Sequence, residues 1–64
     1  MTTREDRKNA LHIAIEQSKN GVLTYVLIKG DKIHTTQNQT TALAYARAGG
    51  YKVYAKCKDG YMIL

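Results

Sequence analysis

The sequence predicts a small α+β domain whose helices and strands follow the order α-β-β-α-β-β. Three observations predict it: a helical repeat at the start, two-residue turn signals at Gly30-Asp31 and Asp59-Gly60, and a length of 64 residues. Hairpins join antiparallel neighbours, so we expect a small antiparallel sheet with both helices packed on one sheet face. Residues 1–64 should form one basic domain of marginal stability, because so short a chain buries little of its surface.

The first helix is expected over residues 3–20. Its apolar and small side chains recur every three or four residues and therefore share one face. They are Leu11, Ala14, Ile15 and Ser18, widened by Ala10 and Ile13. Thr2 with Glu5, and Thr3 with Asp6, have the spacing of a capping box, and Asn20-Gly21 supplies a glycine stop.

Residues 22–29 are nearly all apolar and rich in strand-forming types, which indicates a central strand buried on both sides. Gly30-Asp31 then turns the chain back into residues 33–37, placing Ile28 opposite Ile33. The first hairpin therefore supplies two neighbouring strands of the sheet.

The second helix is expected over residues 42–48, where four of the seven residues are alanine. Residues 38–41 are polar and suit a cap, and Gly49-Gly50 ends the helix. A second hairpin follows around Asp59-Gly60, a type I′ turn signal. An alternative arrangement is a shorter β-β-α-β sheet in which the first helix packs loosely or is frayed.

The strand at residues 51–58 carries the strongest functional signal. Alternate side chains of a strand point to opposite faces, so a regular strand puts Tyr51, Val53, Ala55 and Cys57 on one face. The opposite face is Lys52, Tyr54, Lys56 and Lys58, and the turn adds Tyr61 opposite Lys58. Ammonium groups beside aromatic rings attract an anionic partner. The predicted binding face is therefore Lys52, Tyr54, Lys56, Lys58 and Tyr61.

Charge supports an anionic partner, since the formal net charge is +5 and residues 40–64 hold four cations against Asp59 alone. One such partner is an acidic protein surface, reached by electrostatic steering. Another is DNA or RNA, bound without sequence preference by lysines on phosphates and tyrosines on bases. The interpretation without a binding role is a solvated sheet face whose lysines protect the strand from aggregation.

Neither a catalytic site nor a metal or cofactor site is predicted. The soft metal ligands are His12, His34 and Cys57, and no pair of them has the spacing of a zinc site. Cys57 with His34 is the one conceivable nucleophile pair, but Cys57 falls on the apolar face and reads as a small buried hydrophobe.

The location expected is the cytoplasm. Cys57 is the single cysteine, so no disulfide forms within the chain, and no apolar run approaches the roughly 20 residues that span a membrane. Residues 61–64 are apolar and form the last strand. They either cover the core with Met62 and Leu64 or form an open edge, which pairs with a second copy or adds to a partner's sheet.

The element order resembles that of small phage host-takeover proteins, such as phage inhibitors of bacterial RNA polymerase. The likeness covers about half of the chain and rests on two segments. They are Thr40-Thr41-Ala42-Leu43-Ala44-Tyr45-Ala46 and Gly49-Gly50-Tyr51-Lys52-Val53. The polymerase inhibitor is acidic and this chain is basic, so no contact residue is transferred from it.

What the resemblance implies is a class: small non-enzymatic proteins that bind a larger host machine, a class that includes inhibitors of bacterial immune nucleases. We therefore expect a protein that inhibits or redirects a host nucleic-acid-handling complex by direct protein contact. Direct binding of nucleic acid and a homodimeric structural module are the alternatives.

Overall fold

The computed structural model describes residues 4–63 and contains the predicted elements, with a short 3-10 turn added after the first helix. Helix α1 covers Arg4–Gln17, and the turn covers Ser18–Asn20. The other elements are β1 (Thr24–Lys29), β2 (Lys32–Thr36), α2 (Gln39–Ala48), β3 (Lys52–Lys58) and β4 (Tyr61–Ile63). The four strands form one antiparallel sheet in the order β2-β1-β3-β4, which confirms the α+β class.

The predicted glycine turns are confirmed by their backbone angles. Gly21 ends the first helical segment at φ 87°, and its N–H donates to the carbonyl of Ser18. Gly30 has φ 57°, and its hairpin pairs Ile28 with Ile33 as predicted. Asp59 and Gly60 both have positive φ, at 55° and 83°, as a type I′ turn requires.

Helix α2 begins at Gln39, three residues earlier than expected. The Asn38 side-chain oxygen accepts a hydrogen bond from the N–H of Thr41 at 3.1 Å, so Asn38 is the N-cap. Residues 39–41 are thus the first turn of the helix rather than a loop before it. The capping boxes expected from Thr2 and Thr3 lie outside the described residues.

The two helices pack on opposite faces of the sheet, so the prediction that they share one face is wrong. Val26 and Leu27 are neighbours on β1, point to opposite faces, and are both fully buried. Val26 belongs to a cluster with Ala10 and Ala14 of α1. Leu27 belongs to a separate cluster with Ala42 of α2. A central strand that is apolar on both sides needs cover on both sides.

Helix α1 packs firmly, against the alternative of a loosely packed helix. Ala10, Ala14 and Ser18 are buried, and Ile13 of the predicted face is exposed. The Ser18 hydroxyl donates to the carbonyl of Ile15 at 2.7 Å and accepts from the N–H of Gly60 at 3.1 Å. This buried hydroxyl ties the end of the helix to the turn between β3 and β4.

Candidate binding surfaces

A β-bulge interrupts the strand that carries the predicted binding face. Val26 pairs with Ala55, but the next residue, Leu27, pairs with Val53, which leaves Tyr54 without a counterpart on β1. One extra residue in one strand shifts the alternation of side chains between the faces. The regular alternation read from the sequence therefore fails at Tyr54.

The bulge divides the predicted binding face between the two sides of the sheet, which corrects that prediction. Lys56 pairs with Tyr25 and so lies on the α2 side. Lys52 pairs with Ile28, two residues from Val26, and so lies on the α1 side. Val53 is likewise separated from Ala55 and Cys57. Paired residues of antiparallel strands share a face, which fixes both assignments.

Lys56, Lys58 and Tyr61 remain together on the α2 side. Lys58 pairs with Tyr61, and Lys56 pairs with Ile63, as predicted. Tyr54, at the bulge, lines a cleft with Arg7 of α1 and also borders a shallow depression with Lys56 and Ile63. The structure therefore keeps three of the five predicted residues on one face, with Tyr54 beside them at the bulge and Lys52 on the other face.

Helix α2 packs on β1 and β2, so it leaves β3 and β4 uncovered on this side of the sheet. The uncovered area and the adjoining flank of α2 form what we call the docking face. Its members are Leu43, Val53, Lys56, Lys58, Tyr61 and Ile63. Tyr61 is 75% exposed, and Leu43, Val53 and Ile63 are each between 41% and 46% exposed. The docking face is thus an apolar surface that carries two lysines.

A shallow groove of about 190 Å³ separates α2 from β3. Leu43 and Ala46 line one wall, Val53 and Lys56 line the other, and Tyr25 and Ala42 also border it. Leu43 lies at the edge of the sheet-facing stripe because Ala42 and Ala46, one helical turn apart, form that stripe. This spacing is the sequence signal that identifies Leu43, which the lysine pattern alone missed.

The electrostatics of the docking face are of one sign. Helix α2 and strands β3 and β4 contain no acidic residue, and Arg47 follows Leu43 by one helical turn. Asp59, in the turn beyond Lys58, is the nearest acid in sequence. The ion pair formed within residues 4–63 joins Lys19 to Glu16 on the first helical segment. The lysines of the docking face are therefore available to a partner.

The soft metal ligands do not meet. His34 packs against Tyr45 on the α2 side, with ring centroids 4.3 Å apart and the ring planes tilted by 55°. Cys57 is fully buried and pairs with Thr24 on the α1 side, so the sheet separates it from His34. Burial raises the pKa of the Cys57 thiol. Within residues 4–63 no three His, Cys, Asp or Glu residues come together as a metal-binding group.

Strand β4 does not cover the core as one interpretation had it. Met62 is 49% exposed, and Leu64 lies outside the described residues. Strand β4 is an edge strand, next to β3 in the order β2-β1-β3-β4. Its outer backbone edge is therefore open within the described part of the chain.

Over residues 4–63, neither helix has the length and apolar character to cross a membrane. Comparison with protein-family models, curated proteins and solved structures finds no match for the chain.

Proposed function

We propose that this chain is a non-enzymatic binding protein whose docking face binds an acidic surface of a host nucleic-acid-handling complex and so inhibits or redirects it. The docking face supports the mode of binding. The resemblance to small phage host-takeover proteins supports the class of partner and an origin in a phage or mobile element.

The observation that carries the proposal is an aliphatic centre beside cations with no acid among them. Leu43, Val53 and Ile63 are half exposed, and Lys56 and Lys58 stand beside them. Interfaces between proteins combine an apolar centre with a polar rim, and a rim of one sign speeds the encounter with an oppositely charged surface. Tyr61 is the anchor, because tyrosine is enriched among the residues that dominate binding energy.

A protein partner fits this surface better than a nucleic acid does. Phosphates require cations and bases require flat rings, whereas the aliphatic side chains of Leu43, Val53 and Ile63 gain little from either. Burying them against an apolar partner stabilises a complex by about 25 cal/mol for each Å² removed from water. Among partner proteins with an apolar surface, the cations then favour one whose surface is also acidic.

The first test is capture from nuclease-treated bacterial lysate on the immobilised protein. We expect a protein to be retained by the wild type, lost with Lys56→Glu and with Tyr61→Ala, and kept with Lys8→Glu. The last variant makes the same charge change on the exposed surface of α1. Equal loss with Lys8→Glu would show attraction to net charge alone and would contradict the docking face.

Direct nucleic-acid binding is the second candidate, favoured by the exposed ring of Tyr61 beside two lysines. Fluorescence anisotropy of labelled single- and double-stranded oligonucleotides at low and near-physiological salt distinguishes it. Binding that falls steeply with salt, through counterion release, and weakens with Lys56→Glu would assign the docking face to nucleic acid instead.

A second copy of the chain is the third candidate, favoured by the open edge of β4 and its exposed Tyr61, Met62 and Ile63. Pairing two β4 edges would extend the sheet across both copies. Sedimentation equilibrium measures the mass directly, and a dimer dissociated by Met62→Lys would support this arrangement.

A further inference from the structure

A cleft of about 480 Å³ opens at the end of the sheet opposite the β3–β4 turn. Three segments meet there: the first turns of α1, the turn between β1 and β2, and the beginning of β3. The residues used here are Arg7, Ile28, Lys29, Gly50, Lys52 and Tyr54. Val53 of the docking face also lines the cleft.

Three cations from three separate elements line the cleft. Arg7 comes from α1, Lys29 from the end of β1 and Lys52 from the start of β3. Lys52 lies on the α1 side of the sheet because of the bulge at Tyr54. The Tyr54 ring lines the same cleft. Residues far apart in sequence thus form one cationic site beside an aromatic ring.

The fold positions the Lys29 ammonium. Its Nζ lies 6.0 Å from the centroid of the Tyr51 ring. It also lies against the backbone of Gly50, where an added Cβ would be 3.8 Å from it. Gly50 has φ 72°, a conformation that glycine adopts without strain. At that distance a Cβ would make only ordinary contact with the lysine, so glycine is favoured here by the backbone conformation.

No carboxylate neutralises these cations in the described structure. Within residues 4–63, none of the three has a carboxylate oxygen within 4 Å, and no acid lines the cleft. Arg7 and Lys52 bring two positive charges to this cleft, with the Lys29 ammonium at its rim over Tyr51, and an anion seated between them relieves their repulsion.

We propose that this cleft binds the phosphate group of a nucleotide, with the base stacked on Tyr54. Arginine offers paired N–H donors that match phosphate geometry, and lysine adds point charges. Tyr54 is 47% exposed and presents a ring on which a base stacks. The cleft volume is within the range of about 300–1,000 Å³ typical of small-ligand sites.

The test is a titration of the ¹⁵N-labelled protein with adenosine monophosphate, monitored by amide chemical shifts. We expect the shifts to move at Gly30, Gly50, Lys52 and Tyr54. Arg7→Gln and Lys52→Gln should each weaken binding by roughly tenfold, and Tyr54→Leu should weaken it as well. Inorganic phosphate, which lacks a base, should move the same amides with lower affinity.

The matched controls are Lys8→Gln, the neighbour of Arg7 on α1, and Lys58→Gln, at the other end of β3. Both remove one positive charge outside the cleft lining. We expect less than about a twofold change with Lys58→Gln, because exposed charges beyond a Debye length are largely screened, and a smaller change with Lys8→Gln than with Arg7→Gln, because Lys8 does not line the cleft. Weakening equal to that of the cleft variants would show nonspecific attraction and overturn the proposal. So would unmoved cleft amides at millimolar nucleotide.

Two sources of the nucleotide are distinguished by repeating the titration with a single-stranded tetranucleotide. Tighter binding of the tetranucleotide at the same amides identifies a nucleic acid strand, and equal binding identifies the free nucleotide. Equal affinity for phosphate and adenosine monophosphate, with no effect of Tyr54→Leu, would overturn the nucleotide assignment. The cleft and the docking face are tested separately, because Arg7→Gln, Lys52→Gln and Tyr54→Leu change no residue of the docking face.

Discussion

The turn between β3 and β4 rests on the backbone conformations of two residues. Asp59 and Gly60 both have positive φ, which an L-residue adopts at a cost and glycine adopts freely. The N–H of Gly60 also donates to the buried Ser18 hydroxyl. The turn therefore fixes the hairpin and joins it to the end of α1.

Gly60→Ala should lower the free energy of unfolding by about 1–2 kcal/mol, the cost of a left-handed L-residue. The new Cβ would lie 3.1 Å from Cγ of Lys19, a flexible side chain that can move, so backbone strain is the main cause. Urea denaturation measures the change. Asp59→Asn is the control and should change stability by less than about 0.5 kcal/mol, since asparagine tolerates positive φ. No loss with Gly60→Ala would contradict the turn.

The buried thiol of Cys57 gives stability a dependence on alkaline pH. Burial raises the pKa of the thiol in the folded state, so the folded chain keeps a proton that the unfolded chain releases above its ordinary pKa of about 8.5. Because the unfolded chain binds fewer protons there, stability falls as pH rises.

Urea midpoints between pH 7.5 and 10 test this dependence. Cys57→Ala should be less stable at pH 7.5, because it leaves a small cavity in the α1-side cluster. Its stability should nevertheless fall less steeply with pH than that of the wild type. Parallel slopes for the two proteins would show that the thiol does not contribute.

Among the elements, β3 contains the feature that the sequence did not predict, its bulge at Tyr54. The hairpin turns, the pairing of Lys58 with Tyr61 and the buried central strand were all predictable from turn residues and apolar patterns. The bulge was not, because the alternation of lysines with other residues continues through Tyr54 without a glycine or other mark. Only the register against β1 reveals the extra residue.

Deleting Tyr54 tests the bulge at the level of the element. Val53 and Ala55 already pair with Leu27 and Val26, so the deletion should restore a regular ladder and keep both pairings. Cross-strand nuclear Overhauser effects between these residues should persist in the shortened chain. Deleting Lys56 is the control; it should disrupt the pairing, because no unmatched residue is present there. Loss of folding in the Tyr54 deletion alone would contradict the register.

At the scale of the whole molecule, the prediction that both helices pack on one face of the sheet is wrong, and the apolar pattern of β1 already indicates why. Strand β1 was expected to be apolar on both sides, yet both helices were placed on one side of the sheet. A strand with Val26 facing one way and Leu27 the other requires two covers. Helix direction relative to the sheet is not encoded in local patterns, so periodicity alone could not assign α1 and α2 to their sides.

Leu27→Ala should remove a large share of the free energy of unfolding. A chain of this length has a free energy of unfolding of about 3–10 kcal/mol, and Leu→Ala in a core costs about 2–5 kcal/mol. Leu27 is the largest fully buried side chain within residues 4–63. Amide chemical-shift dispersion and urea denaturation measure the loss of stability. The control is Ile13→Ala, at a 53% exposed site, which should lower the free energy of unfolding far less. Equal losses would contradict the assigned core.

Tyr54, the unmatched residue on β3, also affects how the gene can tolerate a change in length. Gaining or losing one codon within a strand ordinarily inverts every side chain beyond that point. At codon 54 the sheet already holds one residue with no partner on β1. Strand length can change there by one codon while the residues on either side keep their orientation, which makes this codon the natural position for a length variant.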